Sequence, residues 1–153
     1  MADVAVSMDV VAPAERVWEL VADVTRMGEW SPETTGCRWL GGATDARPGN
    51  RFRGSNQRGA RRWSTVATVA EAEPGRLFSF DVSSLGLAVA RWTYRIEPVG
   101  DERCTVTEEW ADHRNRLVHV AGSLLTGVSD RAEHNRASME STLGRLKQVA
   151  EAV

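Results

Sequence analysis

Between residues 34 and 111 the chain is cut by glycine and proline into six short stretches in which apolar and polar residues alternate. A chain punctuated this way folds as an antiparallel sheet. The breaks fall at Gly41-Gly42, Pro48-Gly49, Gly59, Pro74-Gly75, Gly86 and Pro98-Val99-Gly100-Asp101. Glycine supplies backbone angles that other residues avoid, and proline cannot donate to a strand ladder, so both mark turns. The stretches between them run 34–40, 49–57, 61–73, 76–83, 88–98 and 102–111. A period of two sends successive side chains to opposite faces of a sheet, and neighbours in sequence predict a meander.

The flanks read differently. Val4, Val6, Met8 and Val10 alternate over residues 3–10 and predict a further strand. Pro13, with its fixed φ, suits the first turn of a helix. Val17, Leu20, Val21 and Val24 then follow at helical spacing for about three turns. A second short helix fits around Arg26–Trp30, broken by Gly28 and stopped by Pro32. The last forty residues predict a short helix near 115–127 and a long one over 130–151. Leu117, Ala121, Leu124 and Val128, then Ala132, Met139, Leu143, Leu146 and Ala150, form one apolar stripe for the core. Asp130 with Glu133 three residues on resembles a capping box at the start of the long helix. There are no repeats or linkers, so residues 1–153 read as one domain. At that size about 68–70 % of the unfolded surface is hidden on folding, enough for a core without staples.

Charge and motifs exclude several functions. Nineteen basic and 21 acidic residues give a net charge of −2, whereas nucleic-acid binding draws most of its affinity from a basic excess. The one basic cluster, Arg47, Arg51, Arg53, Arg58, Arg61 and Arg62, reads as a solvated hairpin, with docking of a partner protein as the alternative. No apolar run approaches the roughly 18 residues of a membrane span, and the start lacks the basic-then-apolar order of a signal peptide. The expected location is the cytoplasm. Cys37 and Cys104 stand alone, without a CxxC, and read as buried free thiols in a reducing compartment. No phosphate-binding glycine loop, HExxH or GxSxG occurs. His113, His119 and His134 are too scattered for a metal site, so neither metal nor cofactor is expected. An Asp112-His113 relay beside Glu108 fails because adjacent strand residues point to opposite faces.

Sorted by face, the strands give one aromatic and one Arg/Thr/Glu surface. The inner set is Phe52, Gly54 and Asn56; Trp63, Thr65, Ala67 and Val69; Phe78, Phe80 and Val82; Ala90, Trp92, Tyr94 and Ile96; and Cys104, Val106, Glu108 and Trp110. The long helix has the apolar stripe to cover it. Small residues are interleaved with large ones, and one helix cannot fill a curved sheet of seven strands, so space is expected over the aromatic face. Asn56 and Glu108 interrupt that face. A buried carboxylate without partners costs several kcal/mol. Glu108 therefore either reaches solvent or an arginine at the rim, or anchors an apolar pocket together with Asn56, or works as an acid/base.

The order strand, two short helices, six strands, long helix resembles the α+β helix-grip fold of the SRPBCC superfamily. That group holds START lipid-transfer, birch-pollen-allergen-like and polyketide cyclase/dehydrase-like proteins. The resemblance spans residues 2–151. It is carried by Val11-Ala-Pro-Ala-Glu-Arg-Val-Trp18, Val21-Ala-Asp-Val24, Glu29-Trp30-Ser-Pro32, Gly49-Asn-Arg-Phe-Arg-Gly-Ser-Asn56, Ala72-Glu-Pro-Gly-Arg-Leu-Phe-Ser-Phe80 and Val106-Thr-Glu-Glu-Trp110. It implies a seven-stranded antiparallel sheet curved around the C-terminal helix. Between them it implies a cavity for a lipid, sterol, polyketide or other apolar compound. It further implies lining roles for Trp30, Phe52, Asn56, Trp63, Phe80, Trp92, Tyr94, Glu108 and Trp110, with Asn135 and Met139 closing the pocket from one helix face. Cyclase members of the superfamily steer aldol condensation and dehydration with polar pocket residues, which makes Glu108 the candidate general acid/base. The expected partner is a hydrophobic small molecule, bound by a monomer or homodimer without a cofactor.

Overall fold

A computed structural model describes residues 2–128 and 130–152. The elements, in chain order, are β1 (Val4–Val10), α1 (Ala14–Ala22), a 3₁₀ segment (Val24–Glu29), β2 (Thr34–Trp39), β3 (Arg51–Arg58), β4 (Arg61–Glu73), β5 (Leu77–Ser84), β6 (Leu87–Pro98), β7 (Cys104–Asp112), α2 (Arg116–Thr126) and α3 (Arg131–Glu151). The strands form one antiparallel sheet in the order β1-β7-β6-β5-β4-β3-β2. This is the α+β helix-grip arrangement, with α3 lying across the sheet's inner face.

Local chemistry explains the meander. Each hairpin turns on a glycine with positive φ; between β5 and β6 the loop is only Leu85-Gly86, with both residues left-handed (φ 52 and 78). The irregularities in register between Val69 and Glu71 and between Val82 and Ser83 add local bend to β4 and β5. The first and last strands then close on each other, Val4 opposite Trp110 and Val10 opposite Cys104. That long-range pairing is absent from any local pattern.

The filled core occupies the end of the molecule where β6 finishes and α3 ends. Val17 and Val24 meet Phe78, Val106 and Leu146 there, all almost fully buried. Arg16 Nε donates to Ala150 O at 2.7 Å and pins α1 to the end of α3. Trp18 Nε1 donates to Leu77 O at 2.8 Å.

Four sequence expectations change. First, α1 stops at Ala22, sooner than its apolar spacing suggests, because Asp23 leaves helical geometry and its carboxylate accepts from Thr25 N, restarting the chain as a 3₁₀ turn. Second, Gly28 lies inside that turn instead of breaking it, and Trp30 caps it. Third, the Arg/Thr/Glu face buries part of itself. Ser79 and Thr93, directly opposite in register, are buried, and Leu77 beside them is barely accessible. Both polar residues are short and sit among the longer Glu71, Asp81–Arg91 and Arg95–Glu109 side chains.

The fourth change is the largest. The apolar stripe that begins in α2 does not reach the core: Leu117 and Leu124 are 75 % and 74 % exposed, and Ala132 is exposed as well. Only Val128 of that first set is buried. The α3 half behaves as expected, with Met139, Leu143, Leu146 and Ala150 buried. Asp130 caps α3 by accepting from Glu133 N at 3.1 Å, the first half of the anticipated box.

Candidate functional site

Alternation along the strands and the sheet's curvature bring the aromatic faces of β3 to β7 together beneath α3. There they line a cavity of about 530 Å³. Phe52, Gly54 and Asn56 come from β3, Trp63, Thr65 and Ala67 from β4, and Phe80 and Val82 from β5. Ala90, Trp92 and Tyr94 come from β6 and Glu108 and Trp110 from β7, with Asn135 and Met139 facing them from α3. Ten of the eleven residues expected on the wall are therefore on it. The cavity's floor is set where Phe52 and Phe80 meet edge to face, centroids 5.2 Å apart, above the filled core.

Trp30 is the exception. It caps the 3₁₀ turn and is 1 % exposed, packed in the core with Arg26 stacked 5.7 Å from its ring, while Met27 of the same turn and Ser31 just after it reach the cavity wall instead. Sequence reasoning also missed one whole wall. Leu117, Val118, Ala121, Gly122 and Leu125 of α2 line the mouth, as do Leu85 and Leu87 of the β5–β6 turn. The available signal was α2's broad apolar face, in which Val118, Val120 and Leu125 flank the Leu117-Ala121-Leu124 stripe.

Small residues create the space. A side chain at Gly54 would meet only Thr65 Oγ1 and Cys37 Sγ at ordinary contact distances, and Ala67 and Ala90 leave similar gaps between the rings. Cys37 is half-buried and burial lifts its thiol to about 11, so it stays protonated; Cys104 is buried, and both are free.

Glu108 dominates the electrostatics. It is 2 % exposed on the inner face of β7, directly opposite Tyr94 in the β6–β7 ladder. Tyr94 Oη donates to Glu108 Oε1 at 3.0 Å, and Oε2 has no hydrogen-bond partner among the described residues. Burial pushes this carboxyl up to about 8, against the hydrogen bond from Tyr94, which favours the charged form. Burial and the neighbouring carboxyl likewise raise the Tyr94 hydroxyl well above its ordinary range. At neutral pH the carboxyl is thus mainly protonated. With Oε1 accepting from Tyr94, its proton sits on Oε2, the free oxygen. The site can donate one hydrogen bond or one proton from an otherwise apolar wall. This excludes the rim reading of Glu108.

Ion pairs brace the mouth. Arg131 Nη1 and His134 Nε2 hold the two oxygens of Glu33 at 2.9 and 3.1 Å, tying the first turn of α3 to the start of β2. Arg114, almost fully buried, binds both oxygens of Asp112. Asp112 is thereby occupied, and no relay to Glu108 forms through it.

The family model described as polyketide cyclase / dehydrase and lipid transport matches residues 1–151. Several solved structures share the fold. DynU16, from the dynemicin biosynthetic locus, is 21 % identical at a TM-score of 0.66, over 97 % of this chain and 47 % of that one. StfQ, a di-domain ARO/CYC protein of the steffimycin pathway, is 14 % identical at 0.67, over 97 % and 44 %. The chain thus spans about half the length of these two. Cgl2372, a Polyketide_cyc-like protein of Corynebacterium glutamicum, is 28 % identical at 0.56, over 97 % and 88 %. No curated protein matches the sequence. With a family match that runs almost from end to end and a fold to go with it, this chain belongs to the polyketide cyclase / dehydrase and lipid transport family.

Proposed function

We propose that the protein holds a hydrophobic or aromatic small molecule, a lipid, polyketide or similar compound, in the cavity between sheet and α3. The observation that carries this reading is an aromatic-walled space of about 530 Å³ whose one buried carboxyl lacks a partner for Oε2. Pockets that bind small molecules combine a mainly apolar lining with few, fixed polar groups. A ligand oxygen placed at Oε2 would accept its proton and remove the cost of leaving that atom unsatisfied. The two free cysteines support a reducing, cytoplasmic setting.

A native mass spectrum of gently purified protein tests the reading and gives the oligomeric state, monomer or homodimer, in the same experiment. The expected result is an adduct that disappears on denaturation, or uptake of an added polarity-sensitive naphthalene dye with blue-shifted emission. Trp92→Ala should weaken that uptake about tenfold or more, from the ring area lost. Bare protein that takes up no dye refutes the reading.

The free Oε2 favours a second reading, a cofactor-independent cyclase or dehydratase. In an aldol condensation Glu108 would donate its proton to a ketone oxygen as the enol form of the substrate adds to that carbonyl carbon and releases its hydroxyl proton to solvent. The resulting carboxylate would take a proton from the adjacent carbon and pass it to the hydroxyl, which leaves as water, and solvent would then reprotonate Glu108. Glu108→Gln should then lower turnover about 100-fold or more on a confirmed substrate, and full turnover in that variant would sink the role.

A further inference from the structure

We propose that the open end of the cavity is a docking surface for an anionic lipid bilayer. In an antiparallel meander the β3–β4 turn, the β5–β6 turn and the end of β7 fall at the same end of the sheet, and α2 leaves from there. Arg61 Nη1 donates to Leu124 O at 2.9 Å, fastening the β3–β4 turn to the last turn of α2. Among the described residues, this end carries the most exposed large apolar side chains. Leu85 is 99 % exposed at the tip of the β5–β6 turn, Leu117 and Leu124 are three-quarters exposed on α2, and Val120 and Leu125 lie beside them. Folding does not account for Leu85. It holds a left-handed φ of 52°, which a β-turn normally gives to glycine or asparagine, and it packs against nothing that hides it.

On the side formed by the β3–β4 turn and α2, the charge at this end is positive. Residues 46–70 contain six arginines and no acid, and Arg58, Arg61 and Arg62 are exposed at the turn. Residues 113–128 contain Arg114 and Arg116 and no acid, and residues 82–90 carry no charge at all. Of the acids at this end, Glu33 and Asp112 are neutralised by Arg131 with His134 and by Arg114, while the exposed Asp3, Asp130 and Glu133 lie toward the start of β1 and of α3, away from the β3–β4 turn. Projecting leucines ringed by unpaired arginines match a bilayer surface, where apolar side chains enter the acyl boundary and cations meet anionic headgroups. A second copy of the chain fits less well, since a two-fold contact through this end would set arginine against arginine.

Co-sedimentation of the full chain with phosphatidylcholine vesicles, with and without about one-third phosphatidylglycerol, tests the proposal. Binding is expected to the anionic vesicles, to fall with added salt, and to drop about tenfold or more in a Leu85→Ser, Leu124→Ser variant. Arg58→Gln with Arg62→Gln should cost about fivefold per arginine on anionic vesicles only. These side chains are exposed, so thermal unfolding should confirm folded variants. Val99→Ser, at the opposite end of β6 and also exposed, should bind as the parent does. The proposal fails if the parent chain ignores anionic vesicles or if the leucine variant binds unchanged. A dimer in light scattering that the leucine variant dissociates would overturn it in favour of a second copy.

Discussion

At the scale of single residues, Glu108 controls how stability responds to pH. Its carboxyl is pushed up to about 8 when folded, against an ordinary value of 4.5. Between those values the unfolded chain has released the proton while the folded chain keeps it. Stability from this group is therefore full below about 4.5, declines as pH rises toward about 8, and is level above. Denaturant unfolding at pH about 5 and about 8 should show the parent losing more stability across the interval than Glu108→Gln, which has no proton to release. The same slope in both proteins would mean that Glu108 is not buried as described. Tyr94→Phe should raise the carboxyl further, because it removes the one hydrogen bond that favours the charged form. A carbon-detected titration of Glu108 would read that shift. At this scale the sequence was legible on the wall: alternation alone put Tyr94, Glu108 and Trp110 on the inner face. It was not legible for Trp30, because a tryptophan in an irregular turn has no period from which to read a face.

At the scale of elements, α2 and α3 both carry apolar residues at helical spacing but take opposite roles. Leu146 of α3 is fully buried between β-sheet and α1, so Leu146→Ala should cost about 2–5 kcal/mol through the cavity it leaves. Leu124 of α2 is three-quarters exposed, so Leu124→Ala should stay within about 0.5 kcal/mol. Equal losses in chemical denaturation would mean that α2 packs into the core after all. Periodicity reports which side of a helix is apolar but not what faces it. α3 has the sheet beneath it; α2 has a cavity on one side and solvent on the other. The sheet's outer face makes the same point. Ser79 and Thr93 are polar and lie on that face, yet they are buried because longer charged side chains on neighbouring strands rise around them.

At the scale of the whole molecule, one end is filled and the other is hollow. Ligand bound in the hollow end and absent from the unfolded chain must stabilise the fold by mass action. A ligand at about 100 times its Kd should add about 2.7 kcal/mol. A thermal-shift series with the adduct recovered by native mass spectrometry would read this as a rising Tm, and an unchanged Tm at saturation would mean that the compound does not bind the folded chain in preference to the unfolded one. The sequence by itself determined the elements and their inward faces, since turn residues and side-chain period act over a few positions and need no distant partner. It also determined that Glu108 and Asn56 interrupt an apolar surface. Only the tertiary structure decided that β1 closes on β7, that Trp30 drops into the core and that α2 stands at the mouth. It alone settled that Glu108 meets Tyr94 with one oxygen left over. Those outcomes depend on how curvature and volume distribute between one sheet and one helix, a long-range balance that no local pattern encodes.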